Sequence, residues 1–475
     1  MSSEWRQVSL KDVLATIIDY RGKTPPKSKG GVPVLTAANV KGGRVITEKV
    51  SFISQETYDK VTTRGLPQEG DILITTEAPV GEVAPFPNDR TYHITRRIMA
   101  LRCDTKIADP NFLLYTLLGE GCQQQLRNRT RGSTVPRVLK TDITNLNFLL
   151  PPLATQKVIG GFLSSLDKKI QLNQQINQTL EKMAHAIFKS WFVDFDPVKA
   201  KIEALDAGCT DGDVQLAAIR AITGKDAEQL SQMEDEHPEQ YAELLATAEL
   251  FPSAMRDSEL GEIPEEWDAQ ALSRMVDLIG GGTPKKSEPN YWGGDICWFS
   301  VKDAPRGGNV FVVDTEDKIT EAGLSGSSAK LLPLGTTIIT ARGTVGKLAL
   351  TGIATAMNQS CYGVVGSDGT GPYLNYLRLY RAVDTLKRNT HGAVFDTITR
   401  TTFETVIQAQ APLELRRRFE ERITPVFEMI KKNLYQIKTL TDLRDALLPR
   451  LLSGELTPLN TDEPPLQPQR GVAHV

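Results

Sequence analysis

The longest regular pattern of apolar positions in the chain covers residues 153–191. Its members recur at alternating steps of three and four residues, with two polar residues in the same series. They are Ile159, Phe162, Leu166, Lys169, Asn173, Ile176, Leu180, Met183 and Ile187. Such spacing is typical of a helix that packs along another helix. Neither Gly nor Pro interrupts residues 162–191, so we predict one helix about 45 Å long.

A second pattern of the same kind covers residues 413–452, with Arg444 interrupting it. Its members are Phe419, Ile423, Val426, Ile430, Asn433, Ile437, Leu440 and Leu447. Pro425 predicts a kink or a late helix start. A buried asparagine between paired helices fixes their register. We therefore predict that the two helices pair and that Asn173 and Asn433 both face the interface. The alternative is that at least one of them faces solvent.

Two diverged copies of one unit are visible along the chain. Trp5 and the following VSLKDVLATIIDYRGKTPP are echoed by Trp267 and ALSRMVDLIGGGTP, and GDILITTEAPVGEVA is echoed by GTTIITARGTVGKLA. Pro152 corresponds to Pro412, an offset of 260 residues. Each copy is a globular part followed by a long helix, which is the sequence signature of a repeat architecture.

The globular parts predict mixed secondary structure. In the first copy, short strand-like runs at 32–35, 71–75, 98–101 and 146–150 surround a predicted helix at 111–125. The fold class is therefore α/β (mixed α+β), with a pseudo-twofold internal repeat. We divide the chain into a globular domain (1–152), a helical spacer (153–193), an acidic helical segment (194–260), a second globular domain (261–411), a second helical spacer (412–456) and a disordered tail (457–475).

Net charge changes this picture only locally. The 475-residue chain carries a net charge of −3, but residues 194–270 alone hold 20 acidic and 5 basic side chains. The remainder is basic, so the total does not exclude DNA binding, which needs only a local basic surface. We interpret the acidic segment as a solvated helical insertion without its own activity; a partner-binding role and mimicry of DNA charge are the alternatives.

Candidate chemistry is confined to binding. We find no nucleotide loop, methyltransferase, nuclease or metal-ligand pattern, and so expect no catalytic residue, metal or cofactor in this chain. Five scattered cysteines and the absence of a long apolar run indicate a cytoplasmic protein with reduced thiols and no membrane span.

Basic and polar side chains gather in corresponding loops of the two copies, where Arg and Lys suit phosphate and guanine and Asn and Gln suit adenine. For any one of them a solvated surface charge is the simpler interpretation. In the first copy the candidates are Arg21, Lys23, Thr24, Lys27, Lys29, Arg96, Arg97, Arg129, Arg131, Ser133 and Arg137. In the second they are Thr283, Lys285, Lys286, Lys302, Arg306, Arg342, Lys347, Asn358, Gln359 and His391.

Several stretches together resemble the specificity subunit of type I restriction-modification enzymes. They are LPPLATQKVIGGFLSSLDKKIQLNQQINQTLEKMAHAIFKSWFVDFDP (150–197), DSELGEIPEEW (257–267), GGTPKKSEPNYWGGDICW (281–298) and LLPRLLSGEL (447–456). The resemblance implies that each globular domain is a target recognition domain reading one half of a bipartite site in double-stranded DNA. It also implies that the helices form an antiparallel coiled coil that sets the spacer between the halves.

The same resemblance implies partners and cofactors. Two methyltransferase subunits would dock on the helices and carry S-adenosylmethionine. Whether two restriction (motor-nuclease) subunits, with ATP and Mg²⁺, also join is left open. The competing hypothesis from the residues alone is a coiled-coil scaffold that organises protein partners without reading DNA.

Overall fold

The computed structural model describes residues 5–20, 24–48, 50–305, 307–390 and 397–456. The chain forms two compact units. Unit 1 is Met1–Ile170 with Thr439–Val475, and unit 2 is Gln171–Lys438. Each unit therefore contains one globular part and a portion of both long helices. The predicted tail, 457–475, lies outside the described residues.

Unit 1 is built from eleven strands and four short helices between its portions of the long ones, counted over its described residues. The strands are β1 (Arg6–Ser9), β2 (Leu14–Asp19), β3 (Val32–Leu35), β4 (Val40–Lys41), β5 (Arg44–Val45), β6 (Ser51–Ile53), β7 (Ile72–Thr76), β8 (Val80–Pro85), β9 (His93–Ile94), β10 (Ile98–Cys103) and β11 (Asn147–Leu150). The helices are α1 (Gln55–Val61), α2 (Pro110–Leu118), α3 (Glu120–Arg129), α4 (Lys140–Thr144) and the start of α5 (Leu153–Phe192).

A four-stranded antiparallel sheet in the order β2-β10-β7-β8 is the centre of unit 1. Its inner face packs on α2 and α3 through fully buried residues such as Leu101, Phe112 and Leu126. A second sheet has the order β6-β3-β9, and β1 pairs with β11. The helix predicted at 111–125 is two helices, because Gly119 ends α2 with extended backbone.

Unit 2 repeats this plan with an inserted helical segment. The strands are β12 (Met255–Ser258), β13 (Gly261–Pro264), β14 (Asp268–Ala271), β15 (Val276–Gly280), β16 (Trp292–Phe299), β17 (Phe311–Val312), β18 (Lys318–Ile319), β19 (Thr337–Thr340), β20 (Leu348–Thr351), β21 (Thr355–Met357), β22 (Cys361–Gly366) and β23 (Ile407–Gln410). The helices are α6 (Asp196–Asp206), α7 (Asp211–Thr223), α8 (Ala227–Glu236), α9 (Pro238–Glu249), α10 (Leu272–Met275), α11 (Glu321–Ser325), α12 (Pro372–Arg388), α13 (Arg400–Glu404) and α14 (Leu413–Leu452).

Three sheets of unit 2 correspond strand by strand to three sheets of unit 1. The order β15-β22-β19-β20 matches β2-β10-β7-β8, with β17 added at the edge. The order β18-β16-β21 matches β6-β3-β9, and the pair β14-β23 matches β1-β11. The duplication inferred from sequence is therefore a duplication of topology.

The four acidic helices α6–α9 belong to the core of unit 2. Their apolar faces, including Val198, Ile219 and Leu230, join a cluster that also contains Trp191, near the end of α5, and Phe419 of α14. Lys201 is buried and donates a hydrogen bond to the carbonyl of Phe251 (2.6 Å). The acidic side chains lie on the outer faces of these helices, which accounts for the composition of the segment.

Both long helices are continuous over 40 residues, about 60 Å each at 1.5 Å per residue. Of the two outcomes predicted from Pro425, a kink or a late helix start, the late start is wrong, because α14 begins at Leu413. Proline removes one backbone donor from the helix. The fully buried Phe419, Ile423 and Phe427 on either side of it hold the segment helical through packing.

Only every second position predicted to face inward on α5 does so. Leu166, Asn173 and Leu180 face inward, but Phe162, Ile176 and Met183 are 40%, 37% and 49% exposed. That part of the prediction is wrong. The inward positions are one residue later, at Leu163, Asn177 and Ala184. At two of these inward positions the side chain is polar or small, Asn177 and Ala184.

Pairing of the two helices is antiparallel. In unit 2, Asn433 donates to the side-chain oxygen of Asn177 (2.9 Å), and Asn173, earlier in α5, donates to Gln436, later in α14 (2.7 Å). In unit 1 the start of α5 meets the end of α14 through an Asp167–Arg444 ion pair of 2.7 Å.

Both predicted asparagines are buried, Asn173 at 1% and Asn433 at 7% exposure. The predicted inward positions of α14 are also buried or partly buried. They are Ile423, Ile430 and Ile437.

Candidate nucleic-acid interface

One edge of the central sheet in unit 1 collects basic side chains. Strand β2 ends there at Asp19, β7 ends at Thr76 and β10 begins at Ile98, because these neighbours are antiparallel. The turn before β10 carries Arg96 and Arg97. Arg97 pairs with Glu77 (3.1 Å), whereas Arg96 is exposed and makes no ion pair with any described residue.

The loop 131–137 lies against the same edge. Arg131 and Arg137 exchange two backbone hydrogen bonds of 2.9 Å, and Val138 donates to the carbonyl of Thr76 (2.9 Å). Gly132 adopts a φ of +90°, and a Cβ at this position would lie 2.8 Å from the carbonyl oxygen of Val135. Glycine is therefore required for the turn. The loop presents Ser133 and two arginines to solvent.

Carboxylates hold part of this basic set in place. Arg131 pairs with Asp142 (3.2 Å), and Asp19 receives Arg64 at 3.2 Å and Lys140 at 3.9 Å. Exposed ion pairs of this kind contribute about 0–1 kcal/mol to stability, so their main effect is to orient the cations. Arg96 and Arg137 are exposed and form no ion pair with any residue that the structure describes.

The structure does not bring every candidate of the first domain to this edge. Arg129 is half-buried and donates to the backbone carbonyl of Asp142 (2.7 Å), which is a structural contact. Thr24, Lys27 and Lys29 are exposed in a loop beside β6, where Ser28 bridges to Phe52. Arg21 and Lys23 lie outside the described residues.

Unit 2 places its candidates on the corresponding edge. Ala341 donates to the carbonyl of Ser360 (2.7 Å), as Thr76 does to that of Arg97, and Ile398 donates to Ala341 (3.0 Å), as Val138 does to Thr76. These bonds bring Arg342 next to Asn358 and Gln359. The turn between β19 and β20 adds Lys347, which is exposed.

Amide and hydroxyl groups are more prominent on the second edge than on the first. The Thr283 hydroxyl donates to the side-chain oxygen of Gln359, and the Asn358 oxygen accepts from the backbone N–H of Ser360 (3.0 Å). The side chain of Gln359 is exposed. Arg342 occupies the place of Glu77, so the two edges differ in charge.

The remaining lysine candidates of the second domain are exposed, and two of the three pair with acidic neighbours. Lys285 pairs with Glu288 (3.6 Å), Lys302 pairs with Glu316 (3.5 Å), and Lys286 is exposed. Arg306 and His391 lie outside the described residues. That DNA contacts these side chains stays a prediction.

Two basic residues were missed by the sequence interpretation. Lys140 and Arg400 are both the first residue of a short helix, α4 and α13, that follows the loop at each edge. Arg400 donates to the carbonyl of Leu278, near the end of β15 (3.0 Å). The two positions are 260 residues apart, so the offset of the repeat could have identified them.

Within the described ranges, no group of three or more His, Cys, Asp or Glu residues could hold a metal ion. The five cysteines are unpaired, and four of them are buried. In the same ranges, no helix has the length and apolar character needed to cross a membrane.

Comparison with known proteins adds to this geometry. The family model described as "Type I restriction modification DNA specificity domain" matches residues 2–182 and 264–407. The chain is 32% identical over 401 residues to the specificity subunit of the type I restriction enzyme HindI from Haemophilus influenzae, covering 82% of this chain and 87% of that one. It is 24% identical over 475 residues to the MjaIX specificity subunit from Methanocaldococcus jannaschii, covering 95% and 94%.

Among solved structures, the S subunit of a type I restriction-modification system from M. genitalium is similar in fold. Its TM-score is 0.55 at 12% sequence identity, with 95% of this chain and 97% of that chain covered. This likeness supports the two-copy architecture described above. The family model matches well over half of the chain, in one segment from each copy. The chain belongs to the family of type I restriction modification DNA specificity domains.

Proposed function

We propose that this chain is the non-catalytic DNA-specificity subunit of a cytoplasmic type I restriction-modification complex. The observation that carries the proposal is that unit 1 presents basic side chains, and unit 2 basic and amide side chains, on the corresponding edge of their corresponding sheets. Arg96 and Arg137 in unit 1, and Arg342 and Gln359 in unit 2, are held by corresponding backbone contacts. Arginine reads guanine or holds phosphate, and glutamine suits adenine.

Two different edges favour a bipartite site with unlike halves. The Arg97–Glu77 pair makes the first edge partly self-neutralised, whereas Arg342 adds an unpaired charge, among the described residues, to the second. The second edge also carries the Thr283–Gln359 amide arrangement, which has no counterpart among the described contacts of the first. Each unit then reads its own half-sequence.

Methyltransferase subunits are the partners that we expect on the long helices. The face of α5 that carries Leu172, Ile176 and Met183 is exposed and apolar, whereas the opposite face of the helix is buried. Large apolar residues at exposed positions of one helix face are suited to a protein partner. S-adenosylmethionine would be held by those partners, and ATP and Mg²⁺ by motor-nuclease subunits where these join.

The deciding experiment expresses the chain with its methyltransferase partner and sequences the methylated motifs of the host genome. A bipartite motif is expected. Arg137→Gln should relax only one half of it, and Gln359→Ala only the other, because one lost base contact changes discrimination by about 1–3 kcal/mol. Lys60→Gln, in an exposed helix of unit 1, is the matched control and should leave the motif unchanged. Loss of both halves from either edge variant would contradict the assignment.

A scaffold that does not read DNA is the competing function. The salt dependence of DNA affinity in the assembled complex distinguishes a scaffold from a specificity subunit, since phosphate contacts make log K fall linearly with log salt. A specificity subunit gives a steep slope that Arg96→Gln, as the loss of one phosphate-binding cation, makes shallower by about one unit. A slope that this variant does not alter would favour the scaffold.

A further inference from the structure

A cavity of about 520 Å³ lies entirely within unit 2, and the proposed function does not use it. Its walls are the end of α5, the turn before β13, helix α12 and strand β23. The residues that give it chemical character are Phe188, Phe192, Phe195, Arg378, Arg381 and Arg388. We call this space the arginine cavity.

Arg378 is the unusual member of this set. Its side chain is 3% exposed, and Nη2 donates to the side-chain oxygen of Gln410 (2.7 Å). Nη1 is buried and has no hydrogen-bond partner among the described residues. Burial lowers the pKa of Arg378 to about 9, and the nearby Arg416 acts in the same direction. A buried cation left without a counter-charge is costly, so such a group commonly serves a ligand.

The rim of the arginine cavity increases the positive charge. Arg381 and Arg388 are exposed there, with Asp384 and Glu262 as the acidic members of the lining. None of the three arginines forms an ion pair with either carboxylate, or with any other residue that the structure describes. Phenylalanine rings line the cavity together with the arginines, so it combines cationic groups suited to an oxyanion with an apolar surface.

Unit 1 shows that the fold does not require this space. Pro110 and Pro372 both occupy the first turn of their helices, so Thr116 corresponds to Arg378 and Gly119 to Arg381. In unit 1 the end of α14 fills the site, and a Cβ on Gly119 would lie 2.7 Å from Leu452. The hydroxyl of Thr116 donates a hydrogen bond to the carbonyl of Phe112 (2.8 Å). Unit 2 therefore departs from a closely packed arrangement that the same fold allows.

We propose that the arginine cavity binds a small organic anion, with its carboxylate or phosphate at the Arg378 end and its apolar body against Phe188, Phe192 and Phe195. The volume falls within the range of small-molecule sites, about 300–1,000 Å³. An oxyanion supplies the counter-charge that Nη1 lacks. The rim arginines attract it and hold its second oxygen.

Calorimetric titration of the full chain tests this inference with three probes: inorganic phosphate, AMP and benzoate. AMP or benzoate should bind saturably and more tightly than phosphate, because only they carry a flat apolar body. Arg378→Met should weaken binding about tenfold or more, the contribution of a charge-assisted hydrogen bond. Arg381→Gln, an exposed change that leaves the core intact, should also weaken it. Arg417→Gln, an exposed arginine outside the cavity, is the matched control.

Two outcomes would overturn the proposal. One is that none of the probes binds the full chain saturably. The other is that a probe binds Arg378→Met and Arg381→Gln as tightly as it binds the unmodified chain. Methylation specificity measured in parallel separates the two proposals, since the cavity variants should leave the bipartite motif unchanged.

Discussion

His93 is buried between aromatic rings in unit 1. Its ring stacks on Tyr20 at a centroid distance of 5.1 Å and meets Tyr58 edge-on at 6.3 Å. Burial lowers the pKa of His93 to about 4. The folded state therefore holds the neutral imidazole at pH values where an exposed histidine, with a pKa of about 6.5, is protonated.

This histidine makes the stability of unit 1 dependent on pH. The stability that neutral His93 contributes to the folded state is fully present above about pH 6.5. It is lost as the pH falls through about 4, which lowers the free energy of unfolding by roughly 3 kcal/mol. His93→Phe retains the stacked ring and should flatten the pH dependence of the unfolding free energy over this window. Urea denaturation at several pH values measures it. His237→Gln, at an exposed position, should keep the original slope, and an unchanged slope in His93→Phe would refute the explanation.

Helix capping shows how the two copies solve one problem with exchanged residues. In unit 1, Asp109 caps α2 by accepting from Phe112 N–H (3.0 Å), and Gly160 of α5 leaves room for it. In unit 2 the cap position is Gly371, and Glu420 of α14 accepts from the N–H groups of Tyr373 (3.0 Å) and Leu374 (2.9 Å). Gly160 and Glu420 are related by the repeat offset. Carboxylate and glycine have exchanged sides.

The exchange predicts a strongly non-additive pair of substitutions. Glu420→Gly should destabilise the protein by about 1–2 kcal/mol through the lost cap, beyond the effect of glycine in a helix. Gly371→Asp alone should also destabilise, since its Cβ would lie 2.1 Å from Glu420. The double variant recreates the first arrangement and should recover most of the loss. Chemical denaturation measures all three, with Glu421→Gly to subtract the helix effect of glycine; simple additivity would exclude the exchange.

At the scale of elements, the sequence predicted both long helices, the repeat and several strands, because these depend on local spacing and on turn residues. The phase of the α5 stripe was not predictable from apolarity alone. Phe162, Ile176 and Met183 are larger and more apolar than Leu163, Asn177 and Ala184, yet the latter face inward. Close helix packing selects for fit, and an exposed apolar face then remains for a partner.

The candidate DNA interface shows the same division. Its residues were predictable as sets because each loop is rich in Arg, Lys, Gly and Thr. Which of them share an edge depends on strand pairing over long sequence separations, as in the approach of the 131–137 loop to β7. The sequence does not show which arginine is structural and which is available to DNA. The guanidinium of Arg129 donates to a carbonyl of α4 and so joins α3 to α4. Arg137 is exposed, and backbone hydrogen bonds hold its loop near Thr76.

The buried asparagine pair is the feature of the helix interface that we expect to set its register. Asn433→Leu should destabilise the protein by about 1–3 kcal/mol, because the oxygen of Asn177 loses its donor in a buried site. Replacing both asparagines by leucine should cost less than the single change, since no unpaired group remains. Urea denaturation of the full chain compares them. Gln175→Leu, on the exposed face of α5, should change little, and a double variant less stable than the single one would contradict the argument.

At the scale of the whole molecule, the proposed function makes the two helices a spacer between half-sites, and their pairing dictates how to lengthen it. A seven-residue insertion preserves the alternation of three and four residues, but it must be made in both helices to keep the antiparallel partners together. The insertion is made by duplicating residues 163–169 of α5 and residues 440–446 of α14. In each helix this repeats the heptad that contains its member of the Asp167–Arg444 ion pair. It adds about 10 Å of helix.

The double duplication should lengthen the gap in the methylated motif by about three base pairs, at roughly 3.4 Å per pair, and leave both half-sequences unchanged. Sequencing of methylated motifs reads out gap and halves in one experiment. Duplication in α5 alone is the control: it adds the same residues but shifts Asn177 away from Asn433, and should abolish methylation or destabilise the chain. If the matched double insertion altered a half-sequence while the gap stayed constant, the helices would not be the spacer, and recognition would depend on them directly.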